Sequence, residues 1–136
     1  MQIILSDHNC EGHAEAIFMA LRREGWLDVI EMELKWFEHI GLSRKAADET
    51  VWRLCQEHGY LLLTGNRTAK DGSKSLELTI HRLVTATSLP VLTIGNLGRV
   101  LANPDYCLRC GERLVEIVLD LENLRGIARL FLPGQA

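Results

Sequence analysis

Asp7 and Asn9 follow one apolar run, Gln2-Ile3-Ile4-Leu5-Ser6, and Asn66 follows another, Tyr60-Leu61-Leu62-Leu63-Thr64-Gly65. Asp71 lies in the loop after the second run, while Asp48 and Glu49 belong to an amphipathic stretch between the two. Uninterrupted apolar runs suit strands covered on both faces, and the carboxyl ends of such strands are where α/β proteins place ligands. Oxygen donors from several strand ends are what a hard cation such as Mg²⁺ or Mn²⁺ takes, with water and phosphate filling the other positions. A metal held in this way favours phosphodiester hydrolysis. Asx side chains also cap loops and helix starts, and spacing alone leaves both readings open.

Other residues could take part. Arg67, Lys70 and Lys74 put three positive charges into the loop beside Asn66, enough to hold a phosphate backbone locally or simply to solvate a loop. Cys107-Leu108-Arg109-Cys110 is a lone C-x-x-C. A structural zinc site needs four ligands and a second pair is missing. A redox pair at a helix start is conceivable, but a thioredoxin-type motif follows a strand directly, whereas this one follows Asn103-Pro104-Asp105, so buried thiols are the expectation. Of the five histidines only His8 adjoins a candidate ligand. Trp26, Trp36 and Trp52 occur apart, without a basic strand face around them, and read as core or interface residues.

The elements that position these groups follow from periodicity. Strands are expected at 2–6, at 27–32 around Val29-Ile30 (with Met32 to Phe37 equally able to begin a helical turn), at 60–63, at 90–94 and, as a short edge, at 129–132. Helices are expected from Gly12 to Glu24, ended by Gly25; from about Ser43, acting as cap, to His58; along Leu76, Ile80, Leu83 and Val84; and after Asn103-Pro104-Asp105, with Gly111 as that helix's weak point. In the second helix Ala47, Val51, Leu54 and Cys55 form the i, i+4, i+7, i+8 stripe expected to be buried. Strands alternating with helices imply an α/β three-layer α/β/α sandwich with a mostly parallel central sheet, its strands near 2–6, 60–63 and 91–94 central and mutually parallel. At 136 residues, 47% hydrophobic, one domain over 1–136 is expected. The net charge of -3 supplies no global basic field for nucleic acid. No apolar stretch approaches the roughly 18 residues of a membrane helix, so a cytoplasmic protein with no membrane partner is expected. Four scattered cysteines do not make a disulfide framework.

Ile4-Leu5-Ser6-Asp7-His8-Asn9 resembles the opening "(hydrophobic)-x-D-x-N" of small PIN-like proteins, relatives of the toxin ribonucleases of bacterial toxin-antitoxin pairs. Ala47-Asp48-Glu49-Thr50-Val51 resembles the acidic start of that family's central helix. Gly59 to Arg67 resembles its "G-x-(apolar)-T-x-D" strand end, and Pro90 to Leu97 its next strand. The resemblance implies a PIN-like fold and a Mg²⁺- or Mn²⁺-dependent endoribonuclease, with RNA as substrate and an antitoxin-like protein or a second copy in a homo-oligomer as partners. It implies a catalytic cluster of Asp7, Asp48, Glu49, Asn66 and Asp71, with Asp7, Asp48, Asn66 and Asp71 as metal ligands. Asn9, Arg67, Lys70 and Lys74 lie where they would meet substrate. The chain departs from the family at Asn66, where an aspartate is usual; a neutral amide offers only its carbonyl oxygen and one unit less of charge. Two rivals remain open: a catalytically weakened PIN-like module that binds RNA or a partner protein, and a redox or receiver-like α/β domain.

Overall fold

Leu61, Leu62 and Leu63 are 0%, 4% and 0% exposed, which three consecutive strand residues can be only when both faces of their sheet are covered. The computed structural model describes residues 1–65 and 73–134, with residues 73–75 described by backbone alone. Five strands, β1 (Gln2–Ser6), β2 (Met32–Lys35), β3 (Leu61–Gly65), β4 (Val91–Ile94) and β5 (Arg129–Leu132), form one sheet in the order β2-β1-β3-β4-β5. Every pairing is parallel, and β1, β3 and β4 occupy the centre as expected.

Alternation along the strands divides the core in two. Ile4, Leu61, Leu63, Leu92 and Ile94 pack with α1 (Glu11–Arg23), α4 (Leu97–Ala102) and α5 (Pro104–Leu119). Leu5, Leu62 and Val91 pack with α2 (Asp48–His58) and α3 (Ser73–Leu83). The architecture is therefore the three-layer α/β/α sandwich.

Several boundaries differ from expectation. The segment expected as a strand at 27–32 is mostly a turn: Gly25, at φ 82°, ends α1, and Trp26–Asp28 forms a 3₁₀ turn whose Trp26 carbonyl accepts from the amides of Val29 and Ile30. Those bonds are local, leaving Val29 79% exposed. Extended structure begins only where the ladder to β1 begins, at the Gln2–Met32 register pair. Ser43 does not cap α2. Its hydroxyl accepts from the Lys45 amide at 3.1 Å in a local turn, and the helix starts at Asp48 after an extended Ala47. The buried stripe of α2 is Val51, Trp52 and Cys55, with Leu54 only half-buried and Ala47 exposed ahead of the helix; the stripe is turned by about one residue, so the indole of Trp52 fills the space against the sheet.

The short helix α4 was not anticipated. Asn96 caps it, its Oδ1 accepting from the Arg99 amide at 3.1 Å, and Asn103 caps α5 in the same way through the Tyr106 amide at 3.1 Å, with Pro104 at the first helical position. Gly111 is no weak point. A Cβ there would fall 2.8 Å from Leu21 Cγ and Cδ2, so its missing side chain sets how closely α1 and α5 approach.

Candidate functional site

Neighbours of β1 lie on both sides of it, β2 reached through α1 and β3 through α2, so the strand order reverses there, and open α/β sheets bind ligands in the crevice outside the strand ends at such a point. Asp7 stands at that point. Its amide donates to the Leu63 carbonyl at 2.8 Å, and its own carbonyl accepts from the Cys10 amide at 3.1 Å and the Ser6 hydroxyl at 3.0 Å. The Cys10 thiol, fully buried, lies 3.5 Å from the Leu63 carbonyl oxygen and 3.6 Å from that of Asp7. The backbone of the turn is thus fixed from both strands.

The Asp7 carboxylate is held at the edge of solvent, the residue being 9% exposed. His8 Nδ1 lies 3.2 Å from Asp7 Oδ1, within ion-pair distance yet outside hydrogen-bond geometry, and the His8 ring meets Phe37 edge-on at 6.1 Å. Two residues along, in the 3₁₀ turn His8–Cys10, Asn9 Oδ1 is buried with no hydrogen-bond partner among the described residues. A carboxylate and an amide oxygen are the donor types that a hard divalent cation takes, with water and phosphate in its remaining positions.

Sequence reasoning overlooked two hydroxyls at the same edge. Thr64 of β3 and Thr93 of β4 are register partners near the carboxyl ends of their strands, on the face that also carries Leu62 and Val91. Thr64 Oγ1 donates to the Gly65 carbonyl at 3.1 Å. Thr93 Oγ1 is fully buried with no hydrogen-bond partner among the described residues. The available signal was a hydroxyl near the end of each apolar run.

Of the other anticipated residues, Asp48 is the first residue of α2 and half-buried. Glu49 is turned to α3: one oxygen accepts from Arg53 Nε at 3.0 Å and the other from the Arg82 guanidinium, and these contacts hold its carboxyl below the usual range. Asn66, Arg67, Lys70 and Asp71 lie outside the described residues, as does the side chain of Lys74. Among the described residues, no three His, Cys, Asp or Glu side chains converge on a common metal position.

Cys107 and Cys110 are buried free thiols, and burial pushes Cys110 up to about 12 and Cys107 up from its ordinary value. This is the reverse of the lowered pKa that an attacking thiol needs. His13 Nδ1 is buried without a partner, and desolvation lowers that residue's pKa. At the end of β4, Tyr106 is 5% exposed beneath the Arg99 guanidinium, 4.3 Å from its ring centre, with that of Arg109 at 5.6 Å.

Comparison with known proteins finds no family model that matches the chain, and neither a curated protein nor a solved structure that matches it. None of the described helices is long and apolar enough to cross a membrane.

Proposed function

We propose that the crevice at the carboxyl ends of β1 and β3 is the active site of a PIN-like, Mg²⁺- or Mn²⁺-dependent ribonuclease. The observation that carries the reading is Asp7: a carboxylate at the reversal of strand order, on a backbone hydrogen-bonded to β3 and to the Ser6 hydroxyl of β1. In this reading Asp7 is the principal ligand and Asn9 Oδ1 orients substrate or a bound water. Asp48, with no ion pair among the described residues, is the second carboxylate, a role that Glu49 does not share because both its oxygens are engaged. The metal, when bound, supplies charge neutralisation at the phosphate and a water made acidic enough to attack it. The resemblance of the motifs adds an antitoxin-like protein as partner, and the lack of a membrane-length apolar run in the sequence is the ground for a cytoplasmic setting.

One observation favours a second reading, that of a catalytically weakened module that binds RNA or a partner protein. Glu49, in the acidic start of the helix, is locked between Arg53 and Arg82, so the negative charge available to a metal is lower than the sequence suggests. Calorimetric titration of the chain with Mn²⁺, together with incubation of a mixed single-stranded RNA with and without the metal, separates the two. Metal binding and cleavage, both lost in Asp7→Asn, are expected. RNA bound without metal and left intact would establish the second reading; a chain that ignores both Mn²⁺ and RNA would sink both.

A further inference from the structure

Arg53, Arg82, Arg113, Arg125 and Arg129 each lie against a glutamate. Arg99 and Arg109, like Arg22, Arg23 and Arg44, do not: among the described residues none of these has a carboxylate within ion-pair distance, although Asp105 and Glu112 lie four and three residues from Arg109 along α5. Arg99 and Arg109 are exposed, yet neither is left loose, because their guanidinium groups lie 4.3 and 5.6 Å from the centre of the same Tyr106 ring. A face of aromatic π-density attracts a guanidinium without neutralising it and leaves N–H donors for an outside acceptor.

Their position gives the pair a role. The Tyr106 hydroxyl lies at the end of β4, where a Cβ on Gly95 would come within 3.5 Å of it. Arg99 belongs to α4, whose first residue, Leu97, abuts the end of β3 so closely that a Cβ on Gly65 would fall 2.6 Å from it. The two arginines therefore flank the same carboxyl edge as Asp7, displaced toward β4. We infer that Arg99 and Arg109 form a phosphate-binding patch along which a single-stranded RNA backbone continues past the Asp7 crevice; the inference rests on the ribonuclease reading for the identity of the polymer. Guanidinium groups grip phosphate oxygens through paired N–H donors, and base identity plays no part in such contacts.

The test is fluorescence anisotropy of a labelled mixed-sequence single-stranded RNA with the full chain in EDTA, so that nothing is cut, over a series of salt concentrations. Arg99→Gln/Arg109→Gln is compared with Arg22→Gln/Arg23→Gln, which removes the same charge from the end of α1. The patch variant should bind roughly tenfold more weakly than this control, with a salt slope shallower by about 1.4, the value for two single-strand phosphate contacts. Arg99→Lys/Arg109→Lys should recover most of the slope. Equal affinity of the patch variant and the control, with wild type binding RNA, overturns the patch and leaves the crevice reading standing. Wild type that fails to bind RNA at any salt also overturns the patch, while Mn²⁺ binding in the calorimeter still judges Asp7 independently.

Discussion

The amide of Asp7 donates to the carbonyl oxygen of Leu63 at 2.8 Å, carrying the β1–β3 ladder beyond the last residue of β1. The residue proposed to hold the metal is thus tied to the neighbouring strand through its backbone, and its side chain can be changed without losing that tie.

Asp7→Asn should therefore fold while losing its response to metal. A ligand that binds only the folded state raises stability by about 2.7 kcal/mol at a hundredfold excess over its Kd. Thermal midpoints with and without Mn²⁺ should show this upward shift in wild type and none in Asp7→Asn. Equal shifts in the two proteins would remove Asp7 from the site.

The close approach of α1 and α5 gives a contrast between two glycines. Gly111→Ala places a Cβ 2.8 Å from Leu21, itself fully buried, and 3.3 Å from Ile17 Cγ2. Overpacking of this kind costs about 1–3 kcal/mol, only partly offset by the roughly 1 kcal/mol helix-propensity gain. Gly12→Ala meets nothing within 4 Å and should be neutral or stabilising by up to about 1 kcal/mol. The urea midpoint should fall in Gly111→Ala and hold or rise in Gly12→Ala, and a Gly111→Ala midpoint at or above that of wild type would mean that α5 can retreat.

The buried stripe of α2 makes a third test. Trp52, 6% exposed, should cost about 3–5 kcal/mol on truncation to alanine, whereas half-buried Leu54 should fall below about 2 kcal/mol. The ordering of the two denaturation midpoints is the decisive quantity; a larger loss at Leu54 would restore the stripe expected from periodicity.

The thiols predict a pH dependence. Burial pushes Cys55 and Cys110 from 9.0 up to about 12. Between those values the folded chain keeps protons that the unfolded chain has lost, so stability falls as pH rises from about 9 toward 12. Below about 8 the effect vanishes, because both states hold the protons. The fall in thermal midpoint from pH 8 to pH 10.5 should be smaller in Cys55→Ala/Cys110→Ala than in wild type. Native labelling with iodoacetamide at pH 8 should also be slow at all four cysteines, which are buried.

Periodicity and punctuation, which are local, were enough to locate β1, β3, β4, β5 and most of the helices, because an apolar strand run or an i, i+4 stripe can be read without knowing its partner. They also determined that Asp7 follows a strand covered on both faces, since the run before it has no polar break. Strand order was not legible: that β1 lies between β2 and β3, creating the crevice, depends on which strands pair across 30 or more residues. The start of β2 was decided by its ladder to β1, while the segment before it closed on itself in a turn. Glu49 looked free in sequence, yet Arg82, on another helix, captures it. Arg99 and Arg109 stand ten residues apart in sequence, and folding brings both guanidinium groups to one tyrosine. In each case the deciding interaction joins elements that a window of local sequence does not contain, so only the tertiary structure could settle which faces met and which charges were left without a partner.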